Sequence, residues 1–244
     1  MKFSKWELWY NQILDDFGFS KKTDEESANI LSSILKSQGS IKLENLLDNL
    51  PVKKIATESF IVFGAGPSLK SNIKQIKKNL NIANYILIAA DGATTGLLEE
   101  KIVPDIVVTD LDGKLEDLLL ANDLKSFFVI HAHGNNLDEI TKYTSKFKKV
   151  LGTTQSKPLA NLYNFGGFTD GDRAVFLAIA LGAKKILLGG MDFGKLVTSY
   201  SRPDMNVEVA IADEIKQKKL KYAKRLIEWI KNNENVDIVN IGNN

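Results

Sequence analysis

From about residue 59 onward, short apolar runs alternate with segments whose apolar positions recur every three or four residues. The runs are SFIVF (59–63), YILIA (85–89), DIVVT (105–109), SFFVI (126–130), KVLGT (149–153), KILLG (185–189) and VDIVNI (236–241). They are continuous rather than alternating, as strands covered on both faces should be. Helical segments fit between most of them, so right-handed βαβ units and a mainly parallel sheet are expected. The expected fold class is α/β, with a doubly wound, Rossmann-like core. Residues 1 to about 55 read differently. Trp6, Trp9, Tyr10, Ile13, Leu14 and Phe17 form a helical stripe, and helical patterns recur near 23–37 and 41–49. They predict a small N-terminal helical cap over residues 1–55, packed on an α/β domain over 56–244.

Composition narrows the setting. With 244 residues, 44% hydrophobic and 25% charged, the chain suits one sizeable soluble domain. A net charge of +2 gives no bulk electrostatic reason to bind nucleic acid. No apolar run approaches the roughly 18 residues of a membrane span. The N-terminus carries acids and aromatics where a signal peptide has a plain apolar core. A cytoplasmic protein with neither nucleic-acid nor membrane partner is expected, and a homo-oligomer stays open. With no cysteine, disulfides, thiolate nucleophiles and Cys-type zinc sites are excluded.

In open α/β sheets ligands bind outside the carboxyl ends of the strands. The residues just past each run are therefore the place to look for chemistry. In order these are GAGPS (64–68), ADGATTG (90–96), TDLDG (109–113), HAHGNN (131–136), TTQ (153–155) and GGMDFG (189–194). Small, acidic or imidazole groups end nearly every strand, all on one edge of the sheet.

Gly64, Ala65, Gly66, Pro67 and Ser68 make a turn with proline placed as a first helical residue. Its free N–H groups and helix N-terminus would suit a phosphate; an ordinary tight βα turn is the equal alternative. A dinucleotide fingerprint wants a third glycine at 69, where the chain has Leu69, and an acid roughly 20 residues on. Asp91 lies 27 residues beyond Gly64, so an NAD site is not favoured.

If Asp110 and Asp112 continue their strand, both point to one face, within reach of one hard cation. Mg²⁺ typically takes one or two carboxylates plus phosphate oxygens and water. A solvated Asx turn is the competing reading, and Asp91 on the neighbouring strand end weighs against it. In GGFTDGDRAVFLAIALG (166–182), Thr169 reads as N-cap with Asp172 at N3, and Asp170 and Asp172 complement the helix dipole. That helix is apolar almost all round, so its start should be buried at the ligand edge. Dual use as cap and metal site is expected there, with Arg173 toward a phosphate.

The two histidines, His131 and His133, read evenly as substrate or phosphate contacts or as structural groups. In the last helix (212–230) Lys219 falls within the apolar face and Lys216 at its edge. An inward lysine snorkels or reaches an anion, and Lys219 is read as reaching a phosphate. The preceding stretch, 194–211, contains Arg202 and reads as a mobile lid.

Taken together, GAGPSL, ADGATTGLLEEKIVPDIVVTDLDG, HAHGNN and NFGGFTDGDRAVFLAIALGAKKILLGGMDFG resemble the archaeal-type 6-hydroxymethyl-7,8-dihydropterin diphosphokinases, the MptE-like family. The resemblance runs in order over roughly residues 59–230, and GGFTDGDRA is its most specific part. A looser likeness ties Asp91-Gly92, Pro104-Asp105, Asp110 with Asp112, and Thr169-Asp170 to thiamine pyrophosphokinase catalytic domains. The family pattern carries an acid after the paired histidines, where this chain has Asn135 and Asn136.

The resemblance implies a thiamine-pyrophosphokinase-like core. It implies transfer of the β,γ-diphosphate of ATP to a hydroxymethyl pterin, releasing AMP, with Mg²⁺, in folate- or methanopterin-type biosynthesis. On this reading Asp110, Asp112 and Asp170 hold the metal, with Asp172 and Asp91 as further acids. Residues 64–68, Asp91, Gly92 and Arg173 meet ATP, and Lys219 the transferred group. His131, His133, Asn135, Gln155 and Asp192 meet the substrate. No residue stands out as a general base. The alternatives are a thiamine pyrophosphokinase, a non-catalytic nucleotide-binding module and an NAD-type oxidoreductase.

Overall fold

A computed structural model describes residues 1–48, 50 and 57–242. Its strands are β1 Ser59–Phe63, β2 Ile86–Ala90, β3 Ile106–Thr109, β4 Phe127–Ala132, β5 Val150–Thr154, β6 Leu162–Tyr163, β7 Lys185–Gly189, β8 Leu196–Thr198, β9 Val209–Ile211 and β10 Asp237–Asn240. Its α-helices are α1 Phe3–Phe17, α2 Lys21–Gln38, α3 Leu43–Asp48, α4 Leu69–Asn79, α5 Ala93–Glu99, α6 Leu115–Asp123, α7 Leu137–Tyr143, α8 Asp170–Ala180 and α9 Glu214–Asn233. All seven expected strands are present. The end of the 41–49 helical pattern and the 55/56 boundary lie outside the described residues.

Eight strands form one sheet in the order β10-β7-β1-β2-β3-β4-β5-β6, with every neighbouring pair parallel. This is the doubly wound α/β arrangement. β2, β3 and β4 are buried at every position, which explains their unbroken apolar sequences. Alternate side chains go to opposite faces. Phe60 and Val62 join Ile88, Val108 and the helices α8 and α9 on one face, whereas Ile61 and Phe63 meet α4 and α5 on the other.

The N-terminal helices straddle the sheet. Trp6, Tyr10 and Ile13 of α1 pack on the α8 face, while Ala28, Leu31 and Leu35 of α2 pack against β4 and β5 on the opposite one. The turn between them is set by Gly18, whose φ of 65° is left-handed and whose N–H closes α1 on Leu14 O. That turn carries Phe19 to Asp24 toward the carboxyl edge of the sheet.

Two elements differ from expectation. β6 has two residues, and the stretch 194–211, expected as a lid, contains the antiparallel hairpin β8–β9. Neither holds an apolar run long enough to register as a strand. Among the described residues, no helix is long and apolar enough to cross a membrane.

Candidate active site

The carboxyl ends of β7, β1, β2, β3, β4 and β5 open onto one cavity of about 360 Å³. That is ample for a small ligand. In sheet order its floor runs from Asp192 through Gly64–Pro67, Asp91, Asp110 with Asp112, and His133 to Gln155. Asp170 and Arg173 of α8, Lys216 and Lys219 of α9, Leu196 and Val197 of β8, and the Phe19–Asp24 corner complete the walls.

The acids meet by a different route from the one expected. β3 stops at Thr109, and Leu111 adopts a left-handed φ of 70°, so Asp110 and Asp112 do not continue the strand. Such a backbone costs a non-glycine residue roughly 1–2 kcal/mol. Burial of the Leu111 side chain beside Val107 and Leu118 offsets it, at about 2 kcal/mol for a leucine. The turn brings carboxylate oxygens of Asp91, Asp110 and Asp112 within 4.8 Å of one another. Thr109 Oγ1 donates to Asp91 Oδ1 and accepts from Leu111 N at 2.8 Å, locking the turn to β2.

Electrostatics divide the cluster. Burial, then the charges of Asp112, Asp170 and Asp110, push Asp91 well above the usual carboxylate range. Asp112 borders the cavity and is open to solvent, yet burial of its surroundings and the adjoining Asp110 raise it to about 7. Burial also works against ionised Asp110. There the hydrogen bond from His133, with help from the charge of Arg173, wins and holds it below its ordinary range. Asp110 Oδ1 is buried without a hydrogen-bond partner among the described residues. An unpartnered oxygen inside a set of converging carboxylates fits a hard divalent cation.

His133 Nε2 lies 2.9 Å from Asp110 Oδ2, and Nδ1 accepts from Asn135 N at 3.2 Å, which assigns the ring proton to Nε2. Asn136, which the sequence marks only as a departure from the family pattern, is buried behind this pair. Its Nδ2 donates to Asp110 O at 2.8 Å and His131 O at 2.7 Å, and its Oδ1 accepts from His133 N at 3.0 Å. It clamps the ends of β3 and β4 together. His131 stands elsewhere than expected: it is buried, 3.0 Å from Thr153 Oγ1, and does not line the main cavity. Burial, then the charges of Arg173 and His133, hold its pKa well below 6.5.

At the start of α8 the two expected acids part company. Asp170 faces the cavity and pairs with Arg173 Nη1 at 3.1 Å; burial and then Asp110 raise its pKa against the pull of Arg173. Asp172 is fully buried and does not line the cavity. It accepts from Phe168 N at 2.6 Å, from Thr169 N at 2.8 Å and from the Thr169 hydroxyl, so it caps the helix instead of reaching a metal.

The GAGPS loop also differs from expectation. Gly64 N donates to Gly189 O, Gly66 N to Gly190 O, and Ser68 N to Asp192 Oδ2 at 3.1 Å. These three donors are used within the protein, and the loop offers the cavity a wall poor in side chains. Ser68 does not reach the cavity; Gly64 to Pro67, Gly92 and Asp192 do. Thr198 Oγ1 donates to Ala65 O at 2.7 Å, tying the β8–β9 hairpin to this loop. Lys219 does point inward, 5.8 Å from the ring centroids of both Phe19 and Phe168. Burial and then Lys216 lower its pKa.

Asp24 gives no signal in the sequence, because an acid in a first helical turn is an ordinary dipole partner. It is 2% exposed and lines the cavity. Its Oδ2 accepts from Tyr10 Oη at 2.6 Å and Gln155 Nε2 at 2.9 Å, and its Oδ1 from Gly134 N at 2.7 Å. Gly134 permits this approach: a Cβ there would lie 2.2 Å from Thr23 Oγ1 and 2.9 Å from Thr23 Cβ.

Fold and site together define a doubly wound α/β protein with an acid-centred, lysine- and arginine-flanked ligand cavity at the carboxyl edge of its sheet. Residues 29–198 match the family described as 6-hydroxymethylpterin diphosphokinase MptE-like, and the chain belongs to that diphosphokinase family. It is similar to proteins named 6-hydroxymethyl-7,8-dihydropterin pyrophosphokinase from three organisms. With that of Methanothermobacter thermautotrophicus it shares 51% identity over 98% of this chain and 99% of the relative. The Methanocaldococcus jannaschii protein is 46% identical over 98% and 100%, and the Pyrococcus furiosus protein 43% over 98% of each. Among solved structures, a glycosyltransferase from Magnetospirillum magneticum matches with a TM-score of 0.47 and 19% identity, over 77% of this chain and 33% of that one.

Proposed function

We propose that the protein transfers the β,γ-diphosphate of ATP to the hydroxymethyl group of 6-hydroxymethyl-7,8-dihydropterin, releasing AMP, in a Mg²⁺-dependent reaction of folate- or methanopterin-type pterin biosynthesis. One observation carries this reading. In a chain whose relatives are named for that pyrophosphokinase, carboxylates of Asp91, Asp110 and Asp112 converge at the strand edge and Asp110 Oδ1 lacks a partner. Asp110 and Asp112 would hold Mg²⁺, with Asp170 facing them and Asp91 fixed behind by Thr109. The cation supplies neutralisation of phosphate charge and polarisation of the phosphoryl oxygens.

Transfer of this kind asks the protein for positioning and charge stabilisation more than covalent chemistry. The acceptor hydroxyl oxygen bonds to the β-phosphorus, the bond from that phosphorus to the α,β-bridging oxygen breaks, and the hydroxyl proton is released. His133 keeps Asp110 ionised and oriented. Arg173, Lys216 and Lys219 border the same space and offset charge on the diphosphoryl group. The glycine walls at 64–66 and 92 leave room for the nucleotide. Use of ATP agrees with the cytoplasmic location expected for the chain.

The test is an assay with ATP, Mg²⁺ and 6-hydroxymethyl-7,8-dihydropterin. AMP and pterin diphosphate should form in equal amounts and cease with EDTA. AMP release with thiamine and not with the pterin would move the assignment to a thiamine pyrophosphokinase. Release of ADP, or none of either nucleotide, would overturn the diphosphoryl transfer itself.

A further inference from the structure

The cavity has two unlike ends. Four inter-strand steps of about 4.8 Å separate β1 from β5, so the ends lie about 19 Å apart. The acids that lie past β2 and β3 stand between them. At the β1 end the wall is glycine and backbone. At the β5 end it is a buried polar pair, Asp24 and Gln155, and the Phe19 and Phe168 rings, 6.4 Å apart, line the same cavity. The acids of the cluster and the glycine loop fall within residues 29–198, the stretch that matches the family, whereas Phe19 and Asp24 fall outside it. Phe19 and Asp24 therefore come to the cavity from the α1–α2 corner that precedes that stretch.

Asp24 is an uncommon group for a merely structural position. Its three hydrogen-bond donors, Tyr10 Oη, Gln155 Nε2 and Gly134 N, are all neutral. No lysine or arginine forms an ion pair with it among the described residues. A buried carboxylate without a cation is costly to keep unless something uses it. A carboxylate accepts at about four sites, so the single bond at Oδ1 leaves capacity there. Gln155 Oε1, met by Arg173 Nη2 at 3.3 Å, has capacity as well.

We infer that Asp24 and Gln155 form the subsite for the ring of the acceptor alcohol, accepting hydrogen bonds from adjacent N–H groups on its edge while Phe19 and Phe168 meet its face. This rests on the transfer reaction proposed above and adds where the acceptor binds and what selects it. A pterin presents an amino group beside a ring N–H, two donors side by side, which matches a pair of acceptors. Adenine presents its amino group beside an acceptor nitrogen and does not match. The nucleotide is therefore left to the glycine end, with the transferred diphosphate between, over the acids.

The test compares wild type with Asp24→Asn and Phe19→Ala. AMP release gives KM for 6-hydroxymethyl-7,8-dihydropterin and for ATP, and pterin fluorescence gives the Kd of 6-hydroxymethylpterin without ATP. Asp24→Asn should raise the acceptor KM and the pterin Kd about tenfold or more, the weight of a charge-assisted hydrogen bond. ATP KM should stay within about twofold. Phe19→Ala should move the same two constants in the same direction, and it decides the matter by itself if Asp24→Asn does not fold. An unchanged acceptor KM, or a shift in ATP KM instead, overturns the subsite and leaves the reaction standing. Wild type that binds the pterin but makes no AMP overturns the reaction, and the binding constants still judge Asp24. Wild type that binds no pterin and makes no AMP overturns both.

Discussion

His133 and Asp110, from the ends of adjacent strands, share a hydrogen bond of 2.9 Å that leaves the second oxygen of the carboxylate buried and, among the described residues, unpartnered. The histidine fixes which way the acid faces, and Asn135 N fixes which ring nitrogen carries the proton. A group that orients a metal-binding acid is commonly worth 10–100-fold in affinity or activity. His133→Ala should therefore lower kcat/KM about 10–100-fold, with partial recovery at raised Mg²⁺. Activity that is unaffected at low Mg²⁺ would show that the pair does not orient Asp110.

Asp112 shows the opposite balance, since its charge is poorly tolerated without a cation. Asp112→Asn should abolish AMP release and stabilise the metal-free protein, because it removes repulsion toward Asp110 and Asp91. Solvent reaches Asp112, so screening limits the gain to about 1 kcal/mol, or about 2–4 °C in melting temperature. Near-normal turnover in this variant would remove Asp112 from the proposed metal site. A fall in melting temperature in EDTA would contradict the repulsion.

The sheet and its functional edge were legible in the sequence because burial on both faces forces unbroken apolar runs, and each run ends where small or acidic residues begin. Asp110 and Asp112 were visible for that reason, although the turn that joins them depends on Leu111, whose left-handed backbone has no sequence signal. Asp172 and Asp170 look alike in TDGD; only the capping geometry sends the first inward and the second to the cavity. Asp24 was invisible, and Asn136 showed only as a departure from the family pattern, because their partners lie across the fold: Asp24 meets Gln155 and Gly134, and Asn136 joins the ends of two strands. Periodicity reports which face a residue takes, and says nothing of which distant loop it meets.

Asn136 yields a stability prediction. Its side chain satisfies the buried His131 carbonyl, the part-buried Asp110 carbonyl and the part-buried His133 N–H, and alanine would remove all three bonds. At about 1 kcal/mol or more for each unsatisfied group, Asn136→Ala should cost about 3 kcal/mol, or about 6–12 °C. Activity should fall with it, because Asp110 and His133 lose their common clamp. Asn136→Asp should be no better, since a carboxylate would face the carbonyl oxygens of Asp110 and His131. Thermal melts of both variants check this, and a loss under about 1 kcal/mol would mean that water replaces the amide without penalty.

The titration of Asp112 gives a pH dependence with a defined sign. Its pKa is raised from 3.8 to about 7 in the fold, and Asp91 and Asp170 shift the same way. Between these limits the metal-free folded protein holds protons that the unfolded chain has released, so this group's contribution to stability falls as pH rises from 4 toward 7. His131 works in the opposite direction. With a folded pKa well below 6.5, it contributes stability above that value that is lost as pH falls. The comparison is therefore wild type against Asp112→Asn, which keeps His131. In EDTA the two should melt nearly together at low pH, around 4, where Asp112 is protonated, and the variant's advantage should grow toward pH 8. Saturating Mg²⁺ at pH 8 should shrink or reverse that advantage, because the cation favours the ionised carboxylate. A melting difference that stays flat from pH 4 to 8 in EDTA would mean that Asp112 titrates as an ordinary solvated acid.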